Sequence, residues 1–261
     1  MPASSPRVPP RGLVERLRAA GCVFAEDEAR LLAEEAGSPE ELERLAALRE
    51  AGRPLEHVLG WVEFCGHRVL LDPGVFVPRR RTELLARQAA AVLSGGDTVV
   101  DLCCGAGAVG VALTASIDRL RLFSVDIDPH AVHTARRNLT PHTVFEGDLF
   151  DALPHDLRGR VQLVVANAPY VPTAAIALMP VEARRFEARV ALDGGPDGLD
   201  VQRRIAAGAP AWLAPHGRLL VETSSAQAPR TAAIMRAEGF EPRTVTSSRL
   251  DATVVLGSLR G

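Results

Sequence analysis

Thr98-Val99-Val100-Asp101-Leu102-Cys103-Cys104-Gly105-Ala106-Gly107-Ala108-Val109-Gly110 carries the architecture of this chain. Its first half is an apolar, β-branched run, the pattern of a buried strand. Glycines 105, 107 and 110 then follow in G-x-G-x-x-G spacing, which turns a strand into a helix and lets the backbone approach a ligand. Further apolar runs occur at 121–126, 143–146, 161–166 and 217–222. Helical patterns separate them, one started by Asp128-Pro129 and one over roughly 198–209. Such alternation predicts a parallel, doubly wound α/β sheet. After a helix near 228–238, the runs 243–247 and 252–257 lie close enough to pair antiparallel, which brings the strand count to seven.

Upstream the texture changes. Leu13, Val14, Leu17 and Ala20 form a helical stripe closed by Gly21, and Ala29, Leu32, Ala33 and Ala36 form a second closed by Gly37. Ser38-Pro39-Glu40-Glu41 reads as a capping box opening a third helix, with Pro at its first position, that stops near Gly52. Trp61–Phe64 and His67–Leu71 flank Cys65-Gly66, the signature of a hairpin. Thr82 is expected to cap the next helix, which carries Leu85, Ala89, Val92 and Leu93. The expected organisation is a disordered lead-in over 1–10, a helical bundle over 11–52, a hairpin linker over 53–81 and the sheet domain over 82–261.

At 261 residues, 47% hydrophobic and 24% charged, the chain has the make-up of an ordinary soluble globular protein. A formal net charge of −2 provides no global attraction for nucleic acid. Cys22, Cys65, Cys103 and Cys104 lack paired metal spacing, and adjacent cysteines do not readily close a relaxed disulfide. Reduced thiols in a cytoplasmic protein are expected. The seven histidines show no ligand spacing, so no metal site is expected. No apolar run reaches the roughly 18 residues of a membrane span.

The glycine spacing alone fits a dinucleotide site. Acids after three successive strands argue otherwise. Asp101 stands at the mouth of the glycine loop, where a pyrophosphate meets repulsion and an ammonium or sulfonium meets attraction. Asp126 ends the second strand and can take two ribose hydroxyls or cap the loop before Asp128-Pro129. Gly147-Asp148-Leu149-Phe150 follows the third strand, so Asp148 can accept from an adenine amine with Leu149 and Phe150 near the ring, or serve as a turn residue. The set describes S-adenosylmethionine better than NAD. The fourth strand ends in Asn167-Ala168-Pro169-Tyr170. The Asn167 side-chain carbonyl and the Ala168 backbone carbonyl can grip both hydrogens of a planar NH2, Pro169 stiffens the turn, and Tyr170 closes one side of a flat acceptor.

With these residues the chain resembles the class I methyltransferases that modify glutamine side-chain nitrogen, the release factor glutamine methyltransferase family. The resemblance covers nearly the whole length. Arg53–Gly60, Val77-Pro78-Arg79 with Thr82-Glu83, Arg185-Phe186-Glu187, Leu192–Gly195 and Asp197-Gly198-Leu199 look like further family segments in order. It implies a Rossmann-like, mostly parallel seven-stranded sheet with an N-terminal helical bundle that contacts a protein substrate. It implies S-adenosylmethionine held by Asp101, Cys103, Cys104, Gly105, Ala106, Gly107, Asp126, Ile127, Asp148, Leu149 and Asn167, with catalysis by Asn167, Ala168, Pro169 and Tyr170. The chain departs from the pattern at Ala168, where proline is usual, and at Cys103 and Cys104, where glycine and threonine are usual. It departs also at Arg80 and Arg81, in place of Pro-Asp, and at Leu149, in place of an aromatic.

The expected reaction is direct in-line methyl transfer to a glutamine amide nitrogen of a peptide chain release factor or a ribosomal protein, without a dedicated general base. A cytoplasmic monomer with no stable nucleic-acid partner is expected. Alternatives are transfer to an exocyclic amine of DNA or RNA, a dehydrogenase, or a binding module that has lost activity. Arg79-Arg80-Arg81 reads as a solvated loop, Arg184 and Arg185 as an acidic-segment contact or an exposed helix face, and Glu222 as either a site-lining residue or a cap.

Overall fold

The computed structural model describes residues 9–10 and 12–259. The expected lead-in over 1–10 therefore lies almost wholly outside the described residues. In chain order, a helical section contains α1 (Leu13–Ala19), α2 (Ala25–Glu35), α3 (Pro39–Glu50) and α4 (Leu55–Leu59). A hairpin follows, β1 (Trp61–Phe64) with β2 (His67–Leu70), and then α5 (Glu83–Ala90). The remainder alternates as β3 (Thr98–Leu102), α6 (Ala108–Ser116), β4 (Arg121–Asp126), α7 (Pro129–Asn138), β5 (Thr143–Glu146) and β6 (Val161–Ala166). It ends with α8 (Val181–Phe186), α9 (Asp200–Gly208), β7 (Leu213–Thr223), α10 (Ala228–Ala237), β8 (Phe240–Ser247) and β9 (Ala252–Leu259).

The seven strands of the main sheet run in the order β5-β4-β3-β6-β7-β9-β8. All neighbours are parallel except β9, which pairs antiparallel with both β7 and β8. Chain direction across the sheet reverses between β3 and β6, and the crevice at that point is where open α/β sheets bind ligands. The expected mixed sheet is therefore present. β7 begins four residues earlier than its apolar core at 217–222 indicates, because Leu213 pairs with Val161 before a bulge.

Two apolar layers cover the sheet. Leu85 and Ala89 of α5, Val109 and Leu113 of α6, and Val132 and Leu139 pack on one face together with Phe64 and Val69 of the hairpin. Ile205, Trp212, Met235 and Phe240 pack on the other. Each fully buried aliphatic side chain contributes about 1.5–3 kcal/mol. The helical section has its own core around Leu17, Leu32 and Leu45, and it continues through Val58 of α4, a helix that sequence periodicity missed at five residues. The capping expected at Ser38 is present: its Oγ accepts from the Glu41 amide at 3.2 Å, and Glu41 reaches back to the Gly37 amide at 2.8 Å.

Polar contacts join bundle and sheet domain. Buried Arg49 of α3 donates to Glu28 at 2.6 Å and to Glu182 of α8 at 2.7 Å. The Arg53 guanidinium lies 5.8 Å from the centre of the Phe186 ring. These contacts tie the N-terminal helices to the segment after β6 that borders the site. Among the described residues no helix is long and apolar enough to cross a membrane, and no group of His, Cys, Asp and Glu is arranged to hold a metal ion.

Candidate active site

A cleft opens at the carboxyl ends of β3, β4, β5 and β6, around the reversal point. Asp101, Cys103, Cys104, Gly105, Ala106, Asp126, Ile127, Asp148, Leu149, Asn167 and Pro169 all line it. Of the expected site residues, Gly107, Ala168 and Tyr170 are not among those that line it. Gly107 instead heads α6 in the left-handed region (φ 80), with Leu139 so close that an added Cβ would sit 2.8 Å from its Cδ1.

Asp101 is 2% exposed and its Oδ2 has no hydrogen-bond partner. Burial, reinforced by the nearby Asp126 charge, pushes its carboxyl up to about 8. Asp126 is bound at both oxygens, accepting from the Gly105 amide at 2.8 Å and from the Asp128 amide at 2.9 Å. It therefore staples the glycine loop to the start of α7, and the capping alternative is part of its work. Burial raises its pKa also. Asp148 Oδ2 accepts from Arg204 of α9 at 2.8 Å. Phe150, expected near an adenine ring, instead stacks on Trp212 at 5.8 Å in the core, because the 3₁₀ turn after β5 leaves only Leu149 at the cleft.

Two non-glycine residues of the cleft adopt left-handed backbone: Cys103 (φ 55) and Leu149 (φ 50). Such conformations are concentrated at functional sites, where surrounding contacts hold them. Burial, then the neighbouring Asp126 and Asp101, raises both Cys103 and Cys104 thiols well above the ordinary range. They are packing groups rather than nucleophiles.

Asn167 leaves the end of β6 and donates from Nδ2 to Thr82 Oγ1 at 3.3 Å. Its carbonyl Oδ1 has no partner among the described residues. Thr82 does not cap α5 as expected: it sits in the 3₁₀ turn Arg80–Thr82, 3% exposed, and makes no cap hydrogen bond. The backbone after Asn167 is clamped by the loop at 192–198. The Val171 amide donates to the Leu192 carbonyl at 3.1 Å, and Gln227 Nε2 donates to the Tyr170 carbonyl at 2.9 Å. A Cβ on Gly194 would lie 2.7 Å from the Pro169 carbonyl oxygen, so only glycine admits this approach.

Sequence reasoning missed Phe76, Pro78, Thr82, Val190, Ala191, Val201 and Arg204 as lining residues. Phe76 and Pro78 come from the linker, where Arg79 lies 5.1 Å from the Phe76 ring centre and pairs with buried Glu187. Glu222 neither lines the cleft nor caps a helix, but lies buried behind Tyr170.

Comparison with known proteins agrees with this geometry. The Methyltransferase small domain family matches residues 66–195. A release factor glutamine methyltransferase of Geobacter sulfurreducens is 38% identical over 210 residues, 78% of this chain and 73% of that protein. The chain belongs to the release factor glutamine methyltransferase family. A second relative, 38% identical over 71% of this chain and 66% of its own length, is a 4-amino-L-phenylalanine/4-methylamino-L-phenylalanine methyltransferase of Streptomyces pristinaespiralis. The fold is shared with a methyltransferase from Pyrococcus furiosus (TM-score 0.58, 11% identity, 84% of this chain and 98% of that one). Membership makes the chain a methyltransferase that uses S-adenosylmethionine, which removes the dehydrogenase alternative. The cleft of this family member suits such a cofactor: a buried, unpaired Asp101 carboxyl calls for a cation, and a Cβ on Gly105 would meet nothing within 4 Å, so the loop leaves open space above it.

Proposed function

We propose that this protein methylates the side-chain amide nitrogen of a glutamine in a peptide chain release factor. The observation that carries the proposal is the state of Asn167. Its NH2 is committed to Thr82, and its carbonyl oxygen is left as an acceptor beside the three acids. S-adenosylmethionine, when bound, supplies an electrophilic methyl group on a sulfonium. Asp101 would hold its cationic end, Asp126 its ribose, and Asp148 and Leu149 its base, with Gly105, Ala106 and Ile127 beside them in the cleft.

The chain's own task is to present a poor nucleophile. An amide nitrogen has its lone pair drawn into the carbonyl. Accepting hydrogen bonds from both N–H groups, by Asn167 Oδ1 and the Ala168 carbonyl, orients that nitrogen and favours the positive charge it develops. Pro169 and Tyr170 shape the slot, and the proton leaves after transfer. The N-terminal helices, tied through Arg49 to the Glu182 segment, supply the surface for a protein substrate. Free thiols at all four cysteines agree with a cytoplasmic setting, and the net charge of −2 with a protein rather than a nucleic-acid partner. Monomeric action is part of the proposal.

The test is incubation with purified release factors and methyl-labelled S-adenosylmethionine, followed by mass spectrometry to place the methyl. Label on a glutamine amide supports the proposal, and unlabelled release factors beside labelled DNA or RNA in a parallel incubation refute it. A second reading follows from the Streptomyces pristinaespiralis relative: an aryl amine on an amino acid is the acceptor. The same assay with 4-amino-L-phenylalanine separates the two.

A further inference from the structure

Asp148 follows β5 and lines the cleft together with Leu149, Val201 and Arg204. Its backbone is held in place. The Asp151 amide donates to its carbonyl at 3.1 Å, and the next residue, Leu149, takes the left-handed conformation. Its side chain is half committed. Oδ2 accepts from Arg204 at 2.8 Å, and Oδ1 has no partner among the described residues.

Arg204 is placed by packing that does not depend on this bond. Val201 and Arg204 stand three residues apart on α9, on one face of the helix. Ile205 and Ala206 of α9 are buried in the same core as Leu149 and Phe150. A Cβ on Gly208 would lie 2.6 Å from Phe150 Cδ2, so only glycine lets α9 sit this close to the turn after β5. The ion pair itself is about half exposed, 54% for the Arg204 side chain and 43% for Asp148. Such pairs add little to stability. What this one does is decide which oxygen of the carboxylate is left for a ligand.

The remaining contacts at this end of the cleft do not discriminate among bases. Leu149 and Val201 are aliphatic and suit the face of any flat ring. Selection falls to the polar edge. Asp148 Oδ1 is an acceptor, and the exocyclic amine of adenine is a donor. Hypoxanthine carries a carbonyl oxygen at the same ring position, which a carboxylate oxygen repels. Its nearest N–H lies one ring position away, out of register with a fixed oxygen but within reach of a carboxylate free to turn.

We propose that Arg204 is a positioning residue that fixes the Asp148 carboxylate, so that Oδ1 selects a cofactor whose base carries an exocyclic amine. The proposal rests on the placement of the base beside Asp148 given above. A guanidinium only donates, so Arg204 always takes an oxygen of residue 148 and leaves the other atom of the fork to the ligand. An inversion follows. In Asp148→Asn the guanidinium takes the amide oxygen, and the NH2 is left facing the base. That NH2 donates to a ring carbonyl and opposes an amine.

Calorimetry on the full-length protein with S-adenosylhomocysteine and its hypoxanthine counterpart, S-inosylhomocysteine, tests this without any acceptor. The wild type should prefer the adenine compound by roughly 10- to 100-fold, the range of a charge-assisted hydrogen bond. Arg204→Met keeps the apolar stem and should reduce the preference to within about threefold, with the melting temperature unchanged. Asp148→Asn should favour the hypoxanthine compound. Adding Arg204→Met to Asp148→Asn should remove the preference in either direction, because nothing then fixes the amide. A wild type without preference, an Arg204→Met protein that keeps the full preference, or an Asp148→Asn protein that still favours adenine overturns the proposal. Asp148→Ala locates the failure. A preference that survives Asp148→Ala means that the base lies elsewhere, and the placement fails with the proposal. A preference lost in Asp148→Ala but kept in Arg204→Met leaves the placement standing and refutes the role of Arg204 alone.

Discussion

Replacing Asp101 by Asn removes a carboxyl that the fold buries without a counter-charge. In the folded protein that group titrates near 8, against 3.8 for a free aspartate. At about 1.4 kcal/mol per pH unit, the gap corresponds to roughly 6 kcal/mol against folding once the group is ionised. The sign follows from proton uptake. The folded state holds the proton more tightly than the unfolded one, so stability falls as pH rises from about 4 towards about 8 and levels off above that. The amide introduced by Asp101→Asn has no such proton to lose. Urea denaturation of the cofactor-free proteins from pH 5 to 9 should therefore show the two curves diverging, with Asp101→Asn the more stable by several kcal/mol at pH 9, up to roughly 6 kcal/mol. Calorimetry gives the functional counterpart. A cationic cofactor favours the ionised carboxyl, so wild-type affinity for S-adenosylmethionine should strengthen about tenfold per pH unit up to about 8. The variant should bind more weakly and without that dependence. A stability difference that is constant from pH 5 to 9 would refute the assignment of an unpaired, buried acid at this position.

Other changes probe separate parts of the molecule. Asn167→Ala should abolish methyl transfer while S-adenosylmethionine affinity changes by no more than about threefold, within 1 kcal/mol, as read by single-turnover assay and calorimetry. Cys103→Gly relieves a left-handed residue at the tip of β3 and should raise stability by about 0.5–1 kcal/mol in urea, the gain from the backbone exceeding glycine's entropy in the unfolded chain. Arg49→Met leaves Glu28 buried without its partner and cuts the tie to Glu182; unfolding experiments should report a loss of about 3–5 kcal/mol, and limited proteolysis should cut first in the N-terminal helices.

The elements that sequence made legible are those whose signal is local. A β-branched run followed by glycines at 105 and 107 identifies a strand, a turn and a helix start within a dozen residues. Asp101, Asp126 and Asp148 could be assigned to the cleft because each closes an apolar run, and parallel strands bring their ends to one edge. What stayed hidden came from distant elements. Arg204 joins Asp148 across 56 residues, and Thr82 meets Asn167 across 85. Reading by pattern gave Thr82 the local task such a residue most often has, the capping of the helix after it. In the fold the 3₁₀ turn before α5 buries Thr82 instead, and its hydroxyl oxygen accepts from the Asn167 amide. Phe150 illustrates the same limit from the opposite side. Its neighbour Leu149 lines the cleft, but the tight turn between them sends the ring to Trp212.

The same reasoning explains why Ala168 can stand where the family has proline. Proline there would stiffen the segment through its own φ. In this chain the backbone from Pro169 to Val171 is held from outside, by the Leu192 carbonyl, the close approach of Gly194 and the Gln227 amide. External clamping and internal stiffness act on the same degrees of freedom. A family member that has the first can lose the second without moving the acceptor carbonyls. Gln227→Ala should therefore be more damaging to kcat here than in a relative with two prolines, by a factor of several, with S-adenosylmethionine affinity unchanged in both. Equal losses of kcat in the two backgrounds would show that the clamp does not substitute for the missing ring.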